Sequence, residues 1–149
     1  MKAEEVTAQL EAIASDALFE YKSTLLVDEW TSAGVGDEHN EAILRFMERH
    51  PEVDYGPPGA LVHFMERSYK DGGPASERWD SLVVESMRRR PTSHTSWLLN
   101  RLINGGDPEK RQHFLDVMSE AAEHPDADEL TRDSIRGFLT YQAPKQSLH

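Results

Sequence analysis

The chain is predicted to be all-α, with about seven helices, on three observations. Apolar residues recur at three- and four-residue steps along most of its 149 residues. Proline and glycine fall between those stripes, where helices stop. No run keeps the strict alternation of a half-buried strand. The helices read as antiparallel pairs, arranged either as a right-handed HEAT- or TPR-like stack or as an irregular bundle.

The elements follow in order. Val6, Leu10, Ile13, Ala17, Tyr21 and Leu25 form one stripe and predict one long amphipathic helix. Ile43, Phe46 and Met47 mark a second helix, closed by His50-Pro51. Pro57 and Pro58 suit the opening turn of a third, where a missing N–H breaks no intrahelical bond. Its apolar face is Leu61, Phe64, Met65 and Tyr69, and Asp71-Gly72-Gly73-Pro74 ends it. Trp79, Leu82, Val83 and Met87 lie on a fourth. Thr92 or Ser93 caps a fifth, which carries Trp97, Leu98, Leu102 and Ile103 and stops at Asn104-Gly105-Gly106. Asp107 is a good N-cap for the sixth, with Pro108 in its first turn and Phe114, Leu115, Met118 and Ala122 along it. Leu130, Ile135, Phe138 and Leu139 mark the last.

The length fits a single helical domain over residues 1–149. A weak internal likeness runs through it. Met47-Glu48-Arg49-His50-Pro51 resembles Met87-Arg88-Arg89-Arg90-Pro91, and Met118 through His124-Pro125 is a looser third copy. Helix pairs near 38–70, 75–104 and 108–142 would be the repeat units, at a spacing common in stacked helical repeats. Similar helix lengths alone can produce the same pattern.

With no cysteine, disulfides and thiolate metal sites are excluded. The opening Met1-Lys2-Ala3-Glu4-Glu5 lacks the apolar run of a signal peptide, and no stretch approaches the roughly 20 apolar residues of a membrane span. The expected location is cytoplasmic. The net charge of −11 is uneven: residues 1–54 hold 13 Asp/Glu against four Lys/Arg. Such a field repels nucleic acid, whose binding depends on Lys and Arg at phosphates, and attracts basic protein partners.

No catalytic constellation is visible, and the expectation is a non-enzyme without cofactor or metal. The seven histidines fall into no zinc-binding spacing. His50 and His124 sit before prolines at helix ends, His39 beside an acidic loop, and His149 at the last position. Gly34-Val35-Gly36-Asp37 is too short and too acidic to cradle phosphate. Arg88-Arg89-Arg90 ends a helix, where cations offset the carbonyl dipole. Trp97, Asn100, Arg101 and Asn104, with His94 one turn earlier, would share one side of a helix. That polar edge either ties the helix to its neighbour or contacts a ligand.

At Pro91–Asn104, and at Tyr55-Gly56-Pro57-Pro58-Gly59-Ala60-Leu61-Val62-His63-Phe64, the chain resembles the all-helical immunity proteins of bacterial polymorphic and contact-dependent growth inhibition toxins. The likeness covers roughly residues 43–104. It implies a HEAT-like helical fold, no enzymatic activity, and a cognate toxin domain, commonly a nuclease, held inactive by occlusion. His63, Pro91, His94, Trp97, Asn100 and Arg101 would be its fold-defining positions.

An acidic inhibitor can cover a nuclease's basic face with carboxylates in place of phosphates. Asp28, Glu29, Asp37, Glu38, Asp54, Asp126, Asp128 and Glu129 are the candidate contacts. Trp30 and Tyr55 lie beside two of these groups as candidate aromatic anchors. Trp30 also keeps helical spacing from Leu26, which would instead make it core. The alternative function is a helical-repeat scaffold or adaptor for other cellular proteins.

Overall fold

The computed structural model describes residues 1–146, leaving aside the side chains of Ser68, Asp71, Lys145 and Gln146; His149 lies outside the described residues. Eight α-helices and no strands occur among them: α1 (Ala3–Ile13), α2 (Phe19–Ser32), α3 (Asn40–Arg49), α4 (Ala60–Asp71), α5 (Gly73–Arg89), α6 (Ser93–Asn104), α7 (Pro108–Ala121) and α8 (Glu129–Gln146). A single 3-10 turn, Asp37–His39, precedes α3. The fold is all-α, as the spacing predicts.

Two expectations are corrected. The long N-terminal stripe is two helices, broken between Ile13 and Phe19. Pro57 and Pro58 do not open the third predicted helix, because α4 starts at Ala60 behind Gly59. Gly59 has φ +86°, and a Cβ there would stand 1.7 Å from the Tyr55 carbonyl oxygen. The chain turns so sharply at this point that only glycine fits.

The caps read from the sequence are in place. The Thr92 hydroxyl accepts the Thr95 N–H at 3.1 Å while Thr95 Oγ1 accepts the Thr92 N–H at 3.0 Å. Asp107 Oδ1 accepts the Glu109 N–H at 3.0 Å, with Pro108 following. Each bond satisfies a donor that a helix leaves unpaired in its first turn.

The chain forms two compact units, Met1–Leu82 and Val83 onward, with the boundary inside α5. In the first, α1 packs on α3 and α2 on α4. Its core holds Val6 and Leu10 of α1, Phe19 and Trp30 of α2, Ile43, Phe46 and Met47 of α3, and Leu61, Phe64 and Met65 of α4. Burial of each such side chain is worth about 1.5–3 kcal/mol. The Phe19 ring stacks on Phe46 at 6.0 Å and meets Tyr55 edge-on at 5.6 Å, and Trp30 meets Phe64 at 5.6 Å.

In the second unit α6, α7 and α8 pack on one another. Leu98, Leu99, Leu102 and Ile103 bury with Phe114, Leu115, Met118 and Ile135. The imidazole of His124 lies 3.0 Å from the Arg88 carbonyl, tying the turn before α8 to the end of α5. His124 thus serves the end of α5, and not the end of α7 that its place before Pro125 suggests.

Candidate functional site

The break after α1 decides which side of α2 faces solvent. The Asp16 N–H donates to the Ile13 carbonyl at 3.0 Å, and Asp16 Oδ1 accepts the Leu18 N–H at 2.8 Å. Asp16 Oδ2 also holds the Lys22 ammonium at 2.5 Å. These bonds turn the chain and restart the helix in a new phase. Phe19, Ser23 and Trp30 now point inward, and Leu18, Tyr21 and Leu25 point outward with exposures of 59%, 62% and 46%. Ala17, Tyr21 and Leu25 are the three members of the predicted apolar stripe that lie exposed beyond the break.

Two clefts flank this outer stripe. The first, about 430 Å³, lies between the turn Ala14–Leu18, the first residues of α2, and Glu52–Asp54. Its four carboxylates belong to Asp16, Glu20, Glu52 and Asp54, and no Lys or Arg lines it. The second, about 340 Å³, lies between Glu20–Thr24 of α2 and Tyr55, Gly59 and Ala60. Glu20 and Tyr21 line both and form the ridge between them. The Glu20 carboxylate is seated against Gly56, where a Cβ would come within 2.6 Å of it.

Polar bonds fix the floor of this region. The Tyr55 hydroxyl donates to the His50 carbonyl at 2.7 Å. Burial pushes that hydroxyl far above its ordinary pKa, and the nearby Glu52 and Glu11 carboxylates add to the effect. His50 reaches Glu11 at 2.8 Å and Glu52 at 3.4 Å, and Arg49 reaches Glu11 at 3.1 Å. Burial resists ionisation of Glu11, but the bonds to His50 and Arg49 outweigh it and hold its carboxyl below the ordinary range. Asp54 Oδ1 accepts the Gly56 N–H at 2.9 Å.

The other candidate contacts are scattered. Asp28 and Glu29 are exposed on α2, and Glu38 bonds the Gly36 N–H at 3.0 Å. Asp37 is engaged by Arg78 at 2.9 Å, beside a further cleft of about 580 Å³ lined by Glu38, Glu41 and Glu77. Asp126, Asp128 and Glu129 belong to the second unit and are exposed. Asp128 Oδ1 caps α8 by accepting the Thr131 N–H at 2.8 Å.

Trp30 and Tyr55 require correction as surface anchors. Trp30 is fully buried and donates its indole N–H to Gln9 Oε1 at 2.7 Å, and Tyr55 is 5% exposed. The exposed large apolar side chains in this part of the chain are instead Leu18, the residue just before α2, and Tyr21 and Leu25 on it. Their signal in the sequence is Ser15-Asp16, a capping pair inside what reads as continuous helix.

The predicted edge of α6 divides in two. Asn100 and Asn104 each accept from the Gln142 amide, at 2.9 and 2.8 Å, and Arg111 donates to the Gln142 carbonyl and side-chain oxygens. This part ties α6 to α8 and α7. In the other part the Arg101 guanidinium lies 5.0 Å over the Trp97 ring, and the His94 ring is tilted 5.5 Å from it. All three are half-buried, whereas Pro91 is buried and His63 is exposed on α4. His63 therefore adds nothing to the core.

Charge separates the units sharply. Met1–Leu82 contains 17 Asp/Glu and seven Lys/Arg, a net −10, while the remainder contains ten and nine, a net −1. Among the described residues no group of three or more His, Asp or Glu side chains is arranged to hold a metal ion, and no helix is long and apolar enough to cross a membrane. No protein-family model, curated protein or solved structure matches the chain.

Proposed function

We propose that this chain is a bacterial immunity protein that binds a cognate toxin domain with a basic surface, of nuclease type, and neutralises it by occlusion in the cytoplasm. It performs no catalysis of its own. One observation carries the reading: almost all the net charge resides in the first unit, and on that unit Leu18 at the N-cap of α2, with Tyr21 and Leu25 on the helix, faces solvent among carboxylates. A nuclease must display Lys and Arg to hold phosphates. Carboxylates can take the place of those phosphates, and the long-range field speeds the encounter by about 10- to 1,000-fold. The apolar side chains supply contact energy that charge alone does not.

A rescue experiment tests it. The product encoded beside this chain is expressed through its C-terminal region, with and without the chain. Growth arrest relieved only by this chain supports the immunity reading. A non-toxic neighbour, or toxicity that persists with the chain present, contradicts it and favours the adaptor.

A further inference from the structure

Resting on that reading, we infer that the Glu20–Tyr21 ridge of α2, with the clefts on either side, is the docking surface, and that its occupant is a basic segment of the partner protein presenting an arginine flanked by apolar side chains.

The apolar component comes first. Scattered exposed apolar residues are normal on a protein surface, but Leu18, at the N-cap of α2, and Tyr21 and Leu25 within it follow one another at three- and four-residue steps. The largest of them, Tyr21, stands on the ridge between two concave surfaces of about 430 and 340 Å³. A tyrosine brings a wide, nearly rigid contact and a hydroxyl for the rim, and aromatic residues dominate binding hot spots.

Charge selects the occupant. Four carboxylates and no Lys or Arg line the first cleft. Asp16 is neutralised by Lys22 and Asp54 is turned to its own backbone, while Glu20, against Gly56, and Glu52, reached by His50 at 3.4 Å, remain exposed on the cleft lining. A second copy docking through the same face would set these carboxylates against their own kind, and nucleic acid or an anionic lipid surface would be repelled. A cationic protein segment is complementary. Arginine fits better than lysine, because its planar guanidinium can bond a carboxylate with two donors and lie over the Tyr21 ring. Apolar neighbours of that arginine would then cover Leu18 and Leu25.

The test has two readouts on the full-length chain. In the first, isothermal titration measures binding of an amphipathic peptide with arginines along one edge and leucines along the other, against versions with lysine or glutamate in place of arginine. The arginine peptide should bind most tightly. Tyr21→Ala, Leu25→Ala and the pair Glu20→Gln/Glu52→Gln should each weaken it at least tenfold, while Glu120→Gln/Glu123→Gln, exposed on the second unit, leaves it unchanged. Absence of binding, or equal losses from both sets of variants, overturns the assignment. In the second readout the same variants enter the rescue assay, with circular dichroism confirming that they fold. Rescue that persists in Tyr21→Ala and Leu25→Ala overturns the surface while immunity stands. Failure of the unaltered chain to rescue removes the immunity reading, and the titration still decides the surface.

Discussion

Trp30 donates its indole N–H to Gln9 Oε1 at 2.7 Å, joining the buried side of α2 to α1. That bond, with Trp30 fully buried, sets the rotation of α2 and so puts Tyr21 in water. Trp30→Ala should cost about 3–5 kcal/mol, from lost burial and the cavity left behind. Tyr21→Ala, at an exposed position, should change stability by less than ~0.5 kcal/mol. Denaturant unfolding of the two variants checks this, and equal losses would mean that the facing of α2 is wrong.

Much of the fold is legible in the sequence because its signals are local. Pro91, Thr92 and Gly105 delimit α6, and Asp107-Pro108 opens α7, through backbone chemistry within one turn. The break between α1 and α2 is hidden because Ile13, Ala17 and Tyr21 keep helical spacing across it. Burial of Trp30 and Tyr55 depends on partners far along the chain, Phe64 and Phe19 among them, and no local pattern reveals those. The same holds for the candidate site. Its acidic character is visible in composition, but its apolar ridge depends on a helix phase that the turn at Asp16 and the burial of Trp30 establish together.

Gly59 and Gly137 should respond oppositely to alanine. At Gly59 the positive φ and the Tyr55 carbonyl leave no room, so Gly59→Ala should destabilise by more than ~1 kcal/mol. Gly137 lies within α8, and a Cβ there meets nothing within 4 Å. Gly137→Ala should stabilise by about 0.5–1 kcal/mol through helix propensity. Thermal melts of the two variants give the comparison.

Gln142 is 1% exposed and its amide serves both Asn100 and Asn104. Gln142→Ala leaves the Asn100 oxygen without this donor and removes an acceptor of Arg111, at a cost of about 1–3 kcal/mol. A double-mutant cycle with Asn100→Ala should show coupling, since the two residues share one bond. Strict additivity would remove the network from the account.

Asp128 links stability to pH. Its bonds to Thr131 hold its carboxyl below the ordinary value of 3.8, so the folded state favours the ionised form. This contribution is fully present above that value and is lost as pH falls through the lowered one. Asp128→Ala should cost about 1 kcal/mol at neutral pH, as loss of an N-cap does, and the difference from the unaltered chain should close in acid. Urea unfolding across that range measures it.

The central claim is that the acidic first unit draws in a basic partner through its charge and holds it at Tyr21. Stopped-flow association with the cognate toxin domain, measured from low to high salt, tests this most directly. The rate should fall steeply as salt screens the field, while Tyr21→Ala leaves the rate nearly unchanged and speeds dissociation at least tenfold. An association rate that is flat with salt, or a dissociation rate indifferent to Tyr21, would contradict it.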